Sequence, residues 1–368
     1  MDRYLEAQIL KDLQRKMVFV GGPRQVGKTT LAKKLVNKFN GAYLNWDIPK
    51  NRTVILKREL PAETFLVFDE LHKYKKWRNY LKGIYDEYLN TKKILTTGSA
   101  RLDYYRFGGD SLQGRYHYLR LHPFSVAELK GGREAFDRLM RFGGFPEPCL
   151  EGSRIEADRW SAEYRTRFLE DDLESLEDVE DISQLETLLL RLPELVGSPL
   201  SLNSLREDLD VSHRAISRWM KIFERLYHVF RISPFTGPRI RAVKKQQKHY
   251  HFDWNLVTDH GNRFENLVAC HLLKWIHFEM DTKGQVWELR YFRDSDGREV
   301  DFVIMKDRRP VRFIECKLSD TSISSSLRYL KERYQTADAF QLVAETERDF
   351  VKEQVRVVPA YKFLERLI

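Results

Sequence analysis

Gly22-Pro-Arg-Gln-Val-Gly-Lys-Thr29 is the stretch on which the reading of this chain turns. It has the spacing G-x-x-x-x-G-K-[ST] of a phosphate-binding loop. The glycines let backbone N–H groups close around phosphate oxygens, the lysine reaches the β- and γ-phosphates, and the hydroxyl can ligate Mg²⁺. The apolar run Met17-Val-Phe-Val20 before it reads as a short strand, and Thr30-Leu-Ala-Lys-Lys-Leu-Val36 after it as an amphipathic helix. That order puts phosphate at a helix N-terminus, where free N–H groups and the dipole favour an anion. The nucleotide-binding candidates are Gly22, Pro23, Arg24, Gln25, Val26, Gly27, Lys28, Thr29 and Thr30. The competing reading is a glycine-rich turn that happens to contain a lysine.

A second element strengthens the first. Thr64-Phe-Leu-Val-Phe-Asp-Glu-Leu-His72 reads as a buried parallel strand ending in two acids. In an open α/β sheet, ligands sit beyond the carboxyl ends of the strands. Asp69 is therefore placed to hold Mg²⁺ together with Thr29, and Glu70 to orient a water for attack on the γ-phosphate. A third strand, Lys93-Ile-Leu-Thr-Thr-Gly-Ser99, ends in small polar residues; Thr97 and Ser99 are both candidate γ-phosphate sensors, with Thr97 preferred. Arg115 precedes a further strand, Tyr116 to Leu121, and could reach the transition-state charge in a neighbouring subunit. The plainer alternatives are an acidic helix start, capping hydroxyls and a surface arginine. The expected catalytic set is Lys28, Glu70, Thr97 and Arg115. A water-positioning carboxylate argues for hydrolysis rather than for a small-molecule kinase.

With these motifs in order, and with Leu121-His-Pro-Phe-Ser-Val-Ala-Glu-Leu129 following, the chain resembles prokaryotic AAA-type ATPases that carry a C-terminal domain of unknown function. Later stretches agree: Phe142-Gly-Gly-Phe-Pro-Glu147, Lys248-His-Tyr-His-Phe-Asp253, Phe264-Glu-Asn-Leu-Val268 and Glu299-Val-Asp-Phe302. The resemblance implies an α/β protein with a P-loop AAA-like ATPase core, a winged-helix domain and a restriction-nuclease-like α/β domain.

The bulk composition fits that outline. The 368 residues suggest two or three domains, and 42% hydrophobic with 32% charged residues suits a soluble globular protein. No apolar run approaches a membrane span, and the charged N-terminus lacks a signal peptide's apolar core. Cys149, Cys270 and Cys316 make no metal or disulfide pattern, so a cytoplasmic setting is expected. The net charge of +9 is uneven: residues 1–150 carry +12, 151–200 carry −9, and 201–262 carry +5. Excess positive charge suits nucleic acid, DNA ahead of RNA, and equally an ordinary surface.

Four segments are expected: 1–150, the ATPase; 151–200, an acidic helical connector around Glu170 to Asp181, with Leu173, Leu176 and Val179 as its apolar stripe; 201–255, the winged helix; and 256–368, the nuclease-like domain. In the third, Ser201 caps a helix to Leu209 and a second helix runs from His213 to Phe230, a helix-turn-helix pattern. Arg214, Ser217, Arg218 and Lys221 would face a groove of DNA, and Arg239, Arg241, Lys244, Lys245 and Lys248 would form a basic wing on phosphates. The alternative is a winged helix used for protein contacts. In the fourth, Arg298–Ile304 and Val311–Lys317 read as paired strands, so Glu315 and Lys317 share a face that Asp301 can meet. The set Asp301, Glu315 and Lys317, with Glu265 from the preceding helix, resembles a PD-(D/E)xK nuclease core in which the carboxylates hold Mg²⁺. The same fold without cleavage, serving a nucleotide switch, is the alternative. ATP and Mg²⁺ are the expected cofactors, and a homo-oligomer is the expected context for Arg115.

Overall fold

The computed structural model describes residues 1–89, 91–98, 112–173, 182–236 and 246–368. Ser99, the wing residues Arg239, Arg241, Lys244 and Lys245, and the acidic positions 174–181 lie outside them. The described chain forms two compact units. The first is Met1–Pro123 with the short segments Arg225–Tyr227 and Asp281–Lys283; the second is Phe124–Glu224, His228–Met280 and Gly284–Ile368. Residues 124–150, read from sequence with the ATPase segment, group with the second unit.

The first unit is built on five parallel strands: β1 (Met17–Gly21), β2 (Ala42–Asn45), β3 (Phe65–Asp69), β4 (Lys93–Thr97) and β5 (Tyr116–Arg120). They lie in the order β2-β3-β4-β1-β5. Strands β1 and β3 are buried along their whole length, which is why they are almost uninterrupted Val, Leu and Phe. The helix Lys28–Phe39 starts at Gly27 and ends where Asn40 turns left-handed and donates to Val36 O. It buries Lys28, Leu31, Ala32 and Leu35, the i, i+3, i+4, i+7 stripe of an amphipathic helix. Burying Leu31 and Leu35 contributes roughly 1.5–3 kcal/mol each. Phe19, Leu66, Phe68, Trp77, Leu81 and Ile84 fill a core on one side of the sheet. Because all strands run the same way, the loops after β1, β3 and β4 open at a single edge.

The second unit carries a nine-stranded sheet in the order β13-β14-β12-β11-β10-β9-β7-β8-β6. Its strands are β6 (Pro199–Leu200), β7 (Val229–Pro234), β8 (Gln247–His251), β9 (Trp287–Arg293), β10 (Glu299–Lys306), β11 (Arg309–Lys317), β12 (Asp338–Val343), β13 (Phe350–Lys352) and β14 (Val355–Pro359). β9, β10 and β11 are an antiparallel meander, and β12 runs parallel to β11. The β10–β11 turn is tight because Asp307 and Arg308 both take positive φ, 48° and 64°, as a two-residue hairpin loop requires. Val300, Val303 and Phe313 pack with Leu327 and Leu330 of the helix Ser325–Arg333.

The helix pair read from sequence is present as Leu202–Asp208 and His213–Arg225, with Ser201 accepting from Ser204 N at 3.2 Å. The second helix is shorter than the sequence reading to Phe230. Tyr227 turns to φ 58° and Phe230 already belongs to β7. Strand β7 pairs in parallel with β9 through Ser233 and Pro234. One sheet therefore runs through the segments that the sequence reading separated at residue 255.

Candidate functional site

The sheet order brings the loop and the acids together. Strand β4 lies between β1 and β3, with Thr97 in register with Val20 on one side and Asp69 on the other. Asp69 is buried and accepts three hydroxyl protons: from Thr29 at 2.8 Å, from Thr97 at 2.6 Å and from Tyr43 at 2.5 Å. Thr29, Asp69 and Thr97 thus form a continuous oxygen-rich edge. That donor set suits a hard cation such as Mg²⁺, with Thr29 and Asp69 as the residues to hold it. Burial, joined by the bond to Asp69, pushes the Tyr43 hydroxyl above its ordinary range, so Tyr43 remains a donor.

The loop itself is a backbone cradle. Gly22 sits at φ 140°, and a side chain there would come within 2.2 Å of Leu121 O, so only glycine fits. Gly27 is also left-handed, which aims the first N–H groups of the following helix into the loop. The Lys28 ammonium donates to Gly22 O at 2.9 Å and Pro23 O at 2.5 Å, holding it across the loop. Arg3, missed by the sequence reading, donates to Val26 O at 2.7 Å and His122 O at 2.5 Å and so braces the loop from behind.

Glu70 follows Asp69 in a left-handed conformation, φ 55°, and its N–H donates to Thr97 O at 3.0 Å. A non-glycine residue in that conformation costs on the order of 1–3 kcal/mol, a strain concentrated at functional sites. Its carboxylate lies 3.6 Å from both His72 Nε2 and Lys73 Nζ. Burial pushes its pKa up, against the opposing charges of Lys73 and Lys28. A carboxylate with raised basicity beside the phosphate loop suits water activation. Arg115, by contrast, is held by Asp86 through two bonds of 2.8 and 3.2 Å. Its carbonyl accepts from Met17 N at the start of β1, the end of the sheet away from the loop. The five residues of β1, at ~3.3 Å each, separate it from that loop, so within one chain it does not reach a bound phosphate.

In the second unit the structure does bring the expected C-terminal residues to one place, but with an addition. Asp301 accepts from Cys316 N at 2.8 Å, across the β10–β11 pair, and Lys317 Nζ lies 3.0 Å from Glu315 Oε1. Glu265, on the helix His260–Lys283, accepts from Tyr250 OH at 2.7 Å. Lys248, read from sequence as a solvent-facing wing residue, is fully buried and belongs to this cluster. Its Nζ is 2.6 Å from Glu299, 3.1 Å from Glu265 and 3.7 Å from Asp301. Burial, then Asp301, raises Glu265 to about 7 and Glu315 to about 8, while Lys248 and Lys317 respectively pull them back down. Sequence missed Tyr43, Lys248, Tyr250 and Glu299. Lys248 shares a face of β8 with Tyr250, in a strand whose every position from Lys248 to His251 is buried.

Comparison with known proteins places the first part of the chain in a class. Residues 14–130 match the family model described as an AAA domain, which supports an AAA-type ATPase. Residues 133–263 and 260–363 match two domains of unknown function, DUF8612 and DUF4143. Over 97% of its length the chain is 24% identical to uncharacterized protein Rv2008c of Mycobacterium tuberculosis, covering 83% of that protein. It has the same identity and coverage with uncharacterized protein Mb2031c of Mycobacterium bovis. Among solved structures, a point variant of Thermotoga maritima RuvB is 17% identical with a TM-score of 0.34, the match covering 62% of this chain and 88% of that one. Unliganded Pif1 from Bacteroides sp. is 15% identical with a TM-score of 0.23, covering 39% and 49%. At these scores the fold rests on this chain's own sheet order. Among the described residues, no helix is long and apolar enough to cross a membrane.

Proposed function

We propose that the chain is a Mg²⁺-dependent ATPase whose turnover operates the second unit as a nucleic-acid-binding switch. The observation that carries the reading is the convergence of Thr29, Asp69 and Thr97 at one sheet edge, with Glu70 beside it. Mg²⁺ bound there would neutralise charge on the β- and γ-phosphates. Loop N–H groups and Lys28 bind and orient the phosphates. Thr97 links the γ-phosphate position to Asp69, and Glu70 orients the attacking water and draws on its proton. The positioned carboxylate favours hydrolysis over transfer to a metabolite.

Arg115 supplies the finger from a second copy in this reading, exchanging Asp86 for phosphate. ATP turnover tests both ideas. Wild type should hydrolyse ATP only with Mg²⁺. Arg115→Ala should turn over far more slowly at nearly unchanged ATP affinity, and mixing it with Glu70→Gln chains should restore part of the rate. A strictly monomeric active enzyme, or no rescue on mixing, counts against the finger. Turnover that persists without a divalent ion counts against the ATPase reading.

The helix pair with β6, β7 and β8 supports a winged helix, and exposed Arg214, Arg218 and Lys221 on its second helix suit DNA phosphates. The order helix, β9, β10, β11, helix, β12 supports a nuclease-like fold beside it. Each phosphate neutralised adds about 0.9 to the log–log salt slope on duplex DNA. Replacing Arg214, Arg218 and Lys221 together by alanine should flatten that slope and weaken binding at low salt. Binding unchanged by the triple substitution would move the contact elsewhere; no binding to DNA or RNA would favour a protein partner.

A further inference from the structure

The cluster around Asp301 has the residue types of a divalent-metal nuclease site, yet its geometry does not fit one. Among the described residues, no group of three or more His, Cys, Asp or Glu is spaced to hold a metal ion. A cation from β8 sits among these acids. The Lys248 side chain enters the cluster from that strand, fully buried, and its ammonium lies 2.6 Å from Glu299, 3.1 Å from Glu265 and 3.7 Å from Asp301. It also sits 5.6 Å from the centre of the Tyr291 ring.

We propose that Lys248 is a built-in cation that occupies the place of the divalent ion, so that the nuclease-like domain is complete without metal and does not cut nucleic acid. Contacts of 2.6 and 3.1 Å to Glu299 and Glu265 lie in the hydrogen-bond range of an ammonium, and Asp301 at 3.7 Å is an ion pair without a hydrogen bond; Mg²⁺ needs oxygens at ~2.0–2.1 Å and an octahedral shell with waters, which a fully buried Nζ in the same space excludes. Charge agrees. Glu265, Glu299, Asp301 and Glu315 face Lys248, Lys317 and, through Glu299 at 3.4 Å, Arg293. A buried ammonium with several carboxylate partners is strongly destabilising to remove, because their charge is left uncompensated. Glu315 Oε2, a buried oxygen of the cluster without a hydrogen-bond partner, belongs to the acid paired with Lys317 and not to one that touches Lys248. This inference rests on the nuclease-like reading of the domain and is independent of the ATPase reading.

The test is Mn²⁺ binding to the full chain without nucleotide, followed by electron paramagnetic resonance. Wild type and Lys248→Arg should take up no Mn²⁺ at the cluster. Lys248→Met, with its fold checked by circular dichroism, should gain one site per chain and lose it again when Asp301→Asn is added. Millimolar Mn²⁺ should raise the melting temperature of Lys248→Met by several degrees more than that of wild type. Wild type that binds Mn²⁺ in a manner abolished by Asp301→Asn overturns the proposal, and that arm decides even if Lys248→Met fails to fold. Wild type without Mn²⁺ and a folded Lys248→Met that also binds none would instead overturn the nuclease-like reading. Cleavage of DNA or RNA by wild type that is lost in Asp301→Asn overturns the absence of cutting. A failed ATPase reading would leave every arm unchanged.

Discussion

Lys28→Ala is expected to abolish ATP hydrolysis and weaken ATP binding, whereas Glu70→Gln should keep ATP and lose turnover by about 10²- to 10⁴-fold. The difference follows from what each side chain touches. Lys28 lies across the loop carbonyls of Gly22 and Pro23, within the cradle that receives the phosphates. Its loss removes charge that binds the ground state and, more strongly, the charge developing in the transition state, so both affinity and rate fall. The Glu70 carboxylate instead has His72 and Lys73 as its neighbours. Glutamine keeps its shape and removes only the basicity, so the loss falls on the chemical step. Radiolabelled ATP binding alongside single-turnover hydrolysis separates the two. A Glu70→Gln protein that turns over at the wild-type rate ends its assignment, and one that no longer holds ATP makes it a structural residue.

The second large effect is loss of stability in acid. His228, His249 and His251 are buried and stacked edge to face, 5.4 and 5.6 Å between ring centres. Burial lowers His228 to about 3 and His249 to about 4, and drives His251 well below its ordinary 6.5. His271 is likewise lowered to about 4 by burial. The fold keeps these rings neutral, and the unfolded chain protonates them below about 6.5. The unfolded state therefore binds more protons as pH falls from 6.5 toward 4, at about 1.4 kcal/mol per pH unit per proton. Buried acids act in the opposite sense. Asp253, Glu265 and Glu315, raised to about 6, 7 and 8, bind protons in the fold first and lose that contribution as pH rises through those values. Together the two sets place maximum stability between about pH 6 and 7, with a loss that steepens below about pH 5, where the carboxyls no longer offset the histidines. Urea midpoints from pH 8 to 4 measure this. His251→Leu should flatten the acid limb by one proton, because burial keeps that ring neutral in the fold far below the pH at which the unfolded chain protonates it. A midpoint that stays level from pH 6 to 4 would refute the account.

Much of the first site was legible because its chemistry is local. The loop, the strand ending in Asp69 and the strand ending in Thr97 each announce themselves within a few residues, and the parallel sheet brings their ends together. Tyr43 was not legible: a tyrosine on an edge strand has no spacing that marks it, and only the register Asn45 to Asp69 brings β2 beside the acid. Lys248 was misread for a physical reason. In sequence it continues a run of arginines and lysines, so it looks like part of a solvated stripe. Only the pairing of β8 with β7, and the packing that sets Glu265 against it, turns it inward. Glu265, Asp301, Glu315 and Lys317 were legible from the family motifs and from strand alternation, because period two survives whatever the sheet contacts elsewhere.

The parallel pairing of β7 with β9 also limits how this chain can be taken apart. The family matches change over near residue 260, between β8 and β9, and a cloning boundary drawn there would look natural. Cutting at that point would take β7 from the outer side of β9 and leave an open sheet edge on each fragment, the kind of surface along which chains stack into aggregates. It would also leave Glu265, Glu299 and Asp301 on one piece and their counter-charge on the other. The smallest piece of this protein that can be expected to behave in a test tube therefore runs through both matched regions, and a truncation series that stops between them reports on a broken sheet rather than on a separated activity.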